Sequence, residues 1–362
     1  MRVAGVDPAL ASLALTQVDL RARAAARLGD AFGAWLWTPA SLEQATRPHV
    51  AARRATRVAA FGARRAADLG CGAGADTIAL ALAGLHVTAY DLDPDAVTAT
   101  RHNADIMGVA DLVTVHLADA RAADLTNIDV AMIDPARRDA SGRRLMRPHQ
   151  WSPTYAEVLD LATRVPSLVA KLAPGIDHGL LPPASDTEWV QDGTDLVEAT
   201  LWLGALSTHS GRSAVLVSPT GELTTSERDL PSQAPTVGEP GAVLYEPEPA
   251  VIRAGLVGVV AAATMGWLLD PAIAYVTAAN HTETPLATSY DLISEVPFAV
   301  KKLRAELQAR GYGNVIIKKR GVALDPEELR RSLRLQGNGP TATLVMTRTE
   351  RGPLALLVEP RR

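Results

Sequence analysis

The sequence predicts an α/β protein with a parallel sheet in its middle, a helical N-terminal region and a small α+β domain at its C-terminal end. Residues 8–62 are rich in Ala, Arg and Leu and contain few β-branched runs, which favours helices. Between 66 and 220, short apolar runs alternate with helix-like segments, the pattern of a parallel α/β sheet. The stretch 223–241 is rich in Pro, Ser, Thr and Gly and is the best candidate for a linker.

The bulk composition is that of a folded protein with two or three domains. The chain has 362 residues, of which 47% are hydrophobic and 21% are charged. Its single cysteine, Cys71, excludes an intramolecular disulfide, so we expect a reducing, cytoplasmic compartment. The N-terminus shows no signal-peptide pattern. The apolar run 254–269 is shorter than the roughly 20 residues that span a bilayer, and predicts a buried helix.

The individual elements can be placed along the chain, beginning with the parallel sheet. Its strand candidates lie at 66–69, 86–91, 112–119, 129–134 and 166–172. The segments 188–204 and 212–219 are further strands joined by a longer loop. Beyond the linker, a helical segment precedes the order strand, helix, strand, helix and two strands, which can close as a hairpin. The predicted domains are a helical region at 1–62, an α/β domain at 63–222, the linker at 223–241, and an α+β domain at 242–362.

The strongest signal in the sequence is a glycine loop between a strand and a helix, AADLGCGAGADT at 66–77. Glycines at 70, 72 and 74 permit backbone conformations and a close ligand approach that a Cβ would block. A ligand could then lie at the N-terminus of the next helix, where Asp76 or Thr77 is near the cap. A tight loop without a ligand is the alternative.

Acidic residues end the neighbouring strands. Asp91 closes the second strand, where a carboxylate can hydrogen-bond ribose hydroxyls; Asp93 competes for this role, although Asp91 ends the strand directly. Asp119 follows the third strand, within reach of an adenine amino group. Both a nicotinamide dinucleotide and S-adenosylmethionine fit this pattern. Asp68, two residues before the first glycine, would repel a pyrophosphate but hold an ammonium group, which favours S-adenosylmethionine.

The segments DLGCGAG, YDLDPDAV, LADAR and IDPARRD resemble, in order and spacing, motifs I to IV of the class I methyltransferases. The segments LEQAT, VAKLAPGID, YEPEPAVIRAG and IIKKRGVALDPEELRRSLRL are similar to the bacterial DPARR-motif methyltransferases with a THUMP-like C-terminal domain. The resemblance implies a Rossmann-like, seven-stranded sheet whose last strand is antiparallel. It also implies that the cofactor S-adenosyl-L-methionine is lined by Asp68, Gly70, Cys71, Gly72, Asp91, Leu92, Asp119 and Ala120.

The fourth strand ends in the motif DPARR. In the amino methyltransferases that this motif resembles, the acid and the proline carbonyl accept hydrogen bonds from an amine, which suggests catalytic roles for Asp134 and Pro135. Arg137 stands where those enzymes have an aromatic ring, and could stack on a base or bind a phosphate. A structural turn is the alternative, and Arg138 could instead pair with Asp139.

Two other sequence features bear on this site. Lys171 is the only lysine before the C-terminal tail, and either contacts substrate or forms a salt bridge with a strand-end acid. Gln44 and Thr46 could brace the cofactor, or could simply belong to an N-terminal helix. The histidines show no metal-binding spacing, so no metal is predicted.

The last part of the chain is basic. Residues 299–362 contain 14 Lys and Arg against 6 Asp and Glu, a net charge of +8, which leaves −12 for the rest. Lys318, Lys319 and Arg320 end a predicted strand, and Arg330 and Arg334 should share one face of the next helix. Such a surface could bind RNA phosphates, with strong salt dependence; an ordinary solvated basic face is the alternative.

The sequence therefore predicts a methyltransferase that acts on a base amine of structured RNA, such as tRNA or rRNA. Two alternatives remain. One is an adaptor that binds cofactor and RNA but has lost turnover, which the replacement of the aromatic residue makes credible. The other is a small-molecule methyltransferase whose basic tail is only a lid or a dimer contact.

Overall fold

The computed structural model describes residues 7–137, 143, 145, 147–183, 185–218 and 221–361. Its N-terminal region is helical, as the composition predicts. Asp7 caps the first helix, Thr38 caps the second through a capping box, and each of the three helices opens with a proline, whose fixed φ suits a first turn. These helices are α1 (Pro8–Leu28), α2 (Pro39–Gln44) and α3 (Pro48–Ala60).

The central sheet follows the predicted alternation of strands and helices. Its strands are β1 (Arg65–Leu69), β2 (His86–Asp91), β3 (Val113–Leu117), β4 (Val130–Ile133), β5 (Ser167–Leu172), β6 (Asp186–Asp192), β7 (Asp195–Gly204), β8 (Gly211–Ser218) and β9 (Gly221–Ser226). The connecting helices are α4 (Ala75–Leu82), α5 (Pro94–Ile106) and α6 (Tyr155–Leu161). The five predicted parallel strands are all present within two residues of their expected ends.

The first seven strands have the order β3-β2-β1-β4-β5-β7-β6. Pairing is parallel from β3 through β5, and β7 runs antiparallel to β5, with Ala170 opposite Leu201. This is the predicted class I arrangement with an antiparallel strand near one edge. The sheet continues beyond β6 with the antiparallel hairpin of β8 and β9, so nine of the described strands belong to it rather than seven.

The N-terminal helices share one hydrophobic core with the sheet. Leu20, Trp35 and Trp37 are almost fully buried in the same cluster as Ile78 of α4 and Val130 of β4. Asn103 of α5 joins the two parts further, since its side-chain amide accepts a hydrogen bond from the Leu36 nitrogen at 2.7 Å and donates to the Leu36 oxygen. The helical region is therefore packed on the α/β sheet as part of one compact unit, residues 1–187 and 198–211.

The second unit comprises 188–197 and 212–362. Its elements after β9 are β10 (Val243–Pro247), α7 (Pro249–Ala254), α8 (Val257–Thr264), β11 (Trp267–Asp270), β12 (Ile273–Ala278), β13 (Ala287–Pro297), α9 (Val300–Ala309), β14 (Asn314–Lys319), α10 (Pro326–Leu333), β15 (Thr341–Thr349) and β16 (Gly352–Pro360). The sheet order is β11-β12-β10-β13-β16-β15-β14, with only β14 and β15 parallel. The predicted strand–helix–strand–helix order and the final hairpin are all present.

Three expectations differ from the structure. The apolar run 254–269 does not form one buried helix, because Gly255 (φ 76°) ends α7, Met265 (φ 51°) ends α8, and β11 follows. The segment chosen as a linker begins inside β9. Arg334 adopts a left-handed conformation just after α10, so it does not share a helix face with Arg330. No helix in the described ranges is both long and apolar enough to cross a bilayer.

Candidate active site

The glycine loop is tied to the end of the neighbouring strand. The backbone nitrogens of Gly70 and Cys71 donate to the Tyr90 carbonyl at 2.8 and 3.1 Å. The Gly72 nitrogen donates to Asp91 Oδ2 at 2.9 Å. The loop thus curls over the carboxyl ends of β1 and β2, where parallel strands gather polar groups.

The glycines of this loop are structurally required. Gly74 is left-handed (φ 87°) at the start of α4, and a Cβ there would lie 3.0 Å from the Thr100 side chain. Gly72 is also left-handed (φ 56°), but no atom lies within 4 Å of a Cβ built on it. The loop therefore packs on α5 at Gly74 and leaves open space at Gly72.

Asp68 is a buried carboxylate below this loop. Its side chain is 3% exposed, and Oδ2 accepts a hydrogen bond of 2.5 Å from the Thr77 hydroxyl. Burial, and then the negative charge of Asp76, raise the pKa of Asp68 to about 7. Asp68 forms no ion pair with the described residues, although the charge of Lys171 lowers its pKa in part, so a cationic ligand group would stabilise the ionised carboxylate.

The acids and apolar residues predicted around the cofactor have distinct local roles. Asp91 Oδ1 accepts from the Asp93 nitrogen at 2.9 Å, so both of its oxygens order the loops. Asp93 itself caps α5 through the Asp95 nitrogen. Leu92, between them, is 66% exposed.

Three other residues predicted to line the cofactor site have contacts of their own within the protein: Asp119, Ala120 and Cys71. Asp119 pairs with Arg121 at 2.6 Å, and the hydrogen bond from that guanidinium holds the pKa of the Asp119 carboxyl below its usual range. Ala120 begins the short turn that Asp119 caps. The Cys71 thiol is buried against Thr100, and burial raises its pKa, so Cys71 contributes its backbone to the loop.

Asp134, Pro135 and Arg137 follow β4 directly. Ala136, between them, forms an antiparallel bridge with Ser152, with backbone hydrogen bonds of 2.8 and 3.1 Å that pin the motif. Nη1 of Arg137 is buried and has no hydrogen-bond partner among the described residues. Arg138 and Asp139 lie outside the described residues.

Lys171 of β5 lies beside Asp134. Its Nζ contacts three oxygens: Asp134 Oδ2 at 2.5 Å, Thr46 Oγ1 at 2.7 Å and Asp76 Oδ2 at 3.3 Å. Burial lowers the pKa of Lys171, but the carboxylates of Asp134 and Asp76 outweigh burial and raise it, so the side chain is an ammonium ion. Of the two roles considered for this lysine, the geometry shows the salt bridge.

The charge chain continues away from Lys171. Asp76 also accepts a hydrogen bond of 2.5 Å from Nη2 of Arg54, and Nη1 of Arg54 pairs with Glu198. The Thr200 hydroxyl donates to Glu198 at 2.8 Å. Burial raises the pKa of Asp76, but Arg54 and Lys171 outweigh it and lower the pKa. We call the series Glu198, Arg54, Asp76, Lys171 and Asp134 the charge chain.

Sequence reasoning missed two members of the charge chain. Arg54 lies in a helix with several other arginines, and Glu198 lies in a strand far along the chain, so no local pattern distinguishes them. Asp76 lies in the first turn of α4, as predicted, and its side chain pairs with Arg54 and Lys171, which the sequence did not indicate. Thr46 joins the same site by donating to Asp76 at 3.0 Å.

The predicted basic surface is partly neutralised in the second unit. Lys318 pairs with Glu246 at 2.6 Å, Arg320 lies 3.8 Å from the same carboxylate, and Lys319 donates to the Leu324 carbonyl. Lys301 and Lys302 of α9 are exposed and form no ion pair in the described part of the chain. Within the same part, no group of three His, Cys, Asp or Glu side chains is arranged to hold a metal ion.

Comparison with protein families matches both units. A methyltransferase domain model matches residues 66–147, and a THUMP domain-like model matches residues 287–360. The first match contains the glycine loop, Asp91, Asp119 and the DPAR motif. The second contains the basic strand β14 and both helices around it.

Relatives and solved structures agree with these matches. An uncharacterised S-adenosylmethionine-dependent methyltransferase of Mycobacterium tuberculosis, present in two strains, is 34% identical over 346 residues, which cover 93% of this chain and 92% of the relative. A ribosomal protein L11 methyltransferase of Sodalis glossinidius is 44% identical over 18% of this chain and 23% of its own. The crystal structure of a candidate methyltransferase from Porphyromonas gingivalis shares the fold, with a TM-score of 0.77, 20% identity, and coverage of 99% of this chain and 93% of that one.

Proposed function

Because the chain belongs to the S-adenosylmethionine-dependent methyltransferases and carries a THUMP-like domain, we propose that it methylates a base amine of structured RNA. Asp134 and Pro135 position the acceptor nitrogen in this proposal. The observation that carries it is the contact of the Asp134 side chain with Lys171 at 2.5 Å, at the end of the strand that neighbours the glycine loop.

The residues at the sheet edge fit the cofactor. The glycine loop offers open space at Gly72. Asp68 offers a buried carboxylate for the methionyl ammonium group, and Asp91 an anionic acceptor for ribose hydroxyls. Leu92, Asp119 and Ala120 border the adenosine in this arrangement, and Asp119 would have to share its carboxylate between Arg121 and the adenine amino group. When bound, the cofactor supplies an electrophilic methyl group on a sulfonium.

The DPAR motif offers two hydrogen-bond acceptors to an amine. Oδ2 of Asp134 is taken by Lys171, while Oδ1 and the Pro135 carbonyl accept no hydrogen bond from the described residues. An amino group has two N–H donors, so it can donate to Asp134 Oδ1 and to the Pro135 carbonyl at the same time. These two hydrogen bonds would orient the nitrogen lone pair toward the methyl group of the cofactor. The amine loses a proton to water after attack, and Lys171, already an ammonium ion, does not receive it.

Arg137 supports a nucleic-acid substrate. Its buried Nη1 has no acceptor among the described residues, and it follows Asp134 by three positions. A buried, unpaired guanidinium nitrogen is costly, and an incoming oxygen would satisfy it. Phosphate and base carbonyl oxygens are the acceptors that an RNA brings, which suits the proposal that Arg137 binds substrate.

The second unit supports RNA as the partner, through its net positive segment and the THUMP-like match. Lys319 is exposed, and Lys318 and Arg320 are about one-third exposed beside Glu246. Lys301 and Lys302 add two exposed charges that form no ion pair with the described residues. We therefore propose that the RNA surface includes α9 as well as the predicted residues Lys318, Lys319 and Arg320.

The experiment that tests the function uses tritiated cofactor and total RNA from a strain that lacks the gene. The proposal expects label in RNA, at an exocyclic base nitrogen. Asp134→Ala should abolish the transfer, whereas Asp124→Ala, which removes an exposed carboxylate elsewhere in the unit, should leave it intact. Binding of cofactor and RNA without label would indicate the adaptor, and label confined to small metabolites would indicate the small-molecule enzyme.

A further inference from the structure

Lys171 has no hydrogen-bonding capacity left for substrate. An ammonium group has three N–H donors, and Lys171 has three oxygen neighbours, at 2.5, 2.7 and 3.3 Å. Its side chain is 8% exposed. It therefore cannot donate to a ligand without breaking one of these contacts, and it cannot serve as a base while the two carboxylates keep it protonated.

The same contacts fix Asp134. The Asp134 side chain is 33% exposed, so an unpaired carboxylate at this position would be free to rotate into solvent. Lys171 binds Oδ2, and in the described residues no donor binds Oδ1. The two oxygens of Asp134 are thereby distinguished: one faces protein, and the other remains as an acceptor.

Lys171 is itself held by the rest of the charge chain. Asp76 is anchored by Arg54, which is 1% exposed, and Arg54 is anchored by Glu198 on β7. Thr46 fills the remaining position on Nζ. Arg54, Asp76 and Lys171 are thus each flanked by two opposite charges, and Asp76 and Thr46 hold Lys171 beside Asp134.

We propose that Lys171 is a positioning residue, which fixes the Asp134 carboxylate so that Oδ1 alone receives an N–H of the acceptor amine. The inference rests on the proposed function, because it assigns Asp134 to the acceptor. In this proposal Lys171 holds the Asp134 side chain in one orientation. Helix α3 takes part indirectly, because its Arg54 anchors Asp76, which in turn contacts Lys171.

Steady-state kinetics of three variants test this role. Lys171→Met removes the charge but keeps the length, and should lower kcat by about 100-fold, as a displaced catalytic group does. Lys171→Arg keeps the charge and should recover part of that loss. The control is Arg57→Met, which breaks the buried pair of Arg57 with Asp186 in the same unit; it should lower the urea midpoint without changing kcat.

Two further measurements distinguish a positioning role of Lys171 from a role in folding alone, and do so independently of RNA methylation. Affinity for S-adenosylhomocysteine, measured at pH 8, should weaken in Lys171→Met by much less than the loss of about 100-fold in kcat, with a small loss expected because Lys171 lowers the pKa of Asp68. Urea unfolding of Lys171→Met, Asp134→Asn and the double variant requires no RNA. The double variant should shift the midpoint by less than the sum of the single shifts, since the two residues interact.

An unchanged kcat in Lys171→Met would overturn the inference, and so would additive urea shifts. If the unmodified protein labels no RNA, the proposed function fails. The unfolding cycle then still decides whether Lys171 fixes Asp134.

Discussion

Cofactor affinity should depend on pH through Asp68. The carboxyl of Asp68 has a pKa of about 7 because it is buried and because Asp76 is close. A carboxyl with that pKa is mostly protonated at pH 6, and a neutral acid does not attract an ammonium group. Binding of the methionyl ammonium should therefore favour the ionised form and release a proton.

The size of the effect follows from the pKa. The ionised fraction is about one half at pH 7 and about one tenth at pH 6, so affinity should weaken about fivefold over that unit and about tenfold between pH 6 and pH 5. Above pH 7 the Asp68 effect levels off. The cofactor's own amino group, which titrates near 8 as α-amino groups do, should then weaken binding again.

Isothermal titration calorimetry with S-adenosylhomocysteine measures both quantities. Titrations in buffers of different ionisation enthalpy should show about 0.9 proton released per ligand at pH 6. Asp68→Asn should abolish the release and flatten the affinity below pH 7. Constant affinity from pH 5.5 to 7 in the unmodified protein, or an unchanged slope in Asp68→Asn, would refute the assignment of Asp68 to the ammonium group.

Three other predictions concern stability and RNA binding. Arg54→Met should destabilise the protein by about 3–5 kcal/mol in urea unfolding, because it leaves Glu198 buried without the cation that Arg54 supplies and leaves Asp76 with Lys171 as its remaining cation. A loss below 1 kcal/mol would mean that the two carboxylates are solvated. Gly74→Ala should lower the free energy of unfolding by about 1–2 kcal/mol in the same assay, because alanine is strained at φ 87° and its Cβ meets Thr100. Gly193 is also left-handed, but no atom lies within 4 Å of a Cβ built on it, so Gly193→Ala should show only the loss that comes from backbone strain. Lys301→Ala with Lys302→Ala should reduce the slope of log K against log salt by about 1.5 for RNA binding. Arg361→Ala, which removes a charge already paired with Asp291 at 2.8 Å, should change the slope less.

The sequence predicted the parallel sheet well because each strand and loop has a local signature. Apolar runs of four to six residues, a glycine loop and acids at strand ends need no knowledge of distant residues to be recognised. The same is true of α9 and β14, each bounded by turn residues. Cofactor placement at this edge then follows from topology, since the carboxyl ends of parallel strands meet there.

The parts that sequence reasoning missed depend on contacts between distant segments. Arg54 and Glu198 are 144 positions apart, and neither has a local feature that indicates an ion pair. The apparent basic strand end at Lys318 and Arg320 is similar, because the neutralising Glu246 comes from β10, some 70 residues earlier. A net charge counted along the sequence therefore overestimates the surface charge when residues distant in the sequence form ion pairs with the counted ones.

The placement of Thr46 and Arg54 bears on what constitutes the catalytic unit. The predicted boundary between a helical region and a methyltransferase domain, at residue 62, separates both residues from Asp76 and Lys171. A fragment that starts at residue 63 would retain the glycine loop and the DPAR motif. It would lack Arg54, the cation that binds Glu198 and one of the two that bind Asp76, and the helices that cover Ile78 and Val130.

Buried carboxylates without a partner raise their pKa and take up protons, or draw water into the core. Protonation of Asp76 would weaken its hold on Lys171, and Lys171 would then lose one of the two charges that keep it beside Asp134. The family-model match at 66–147 thus marks the part of the site with a recognisable sequence. The charge chain begins earlier, in α3, so under the proposed role of Lys171 the N-terminal helices would contribute to the enzyme's chemistry as well as to its core.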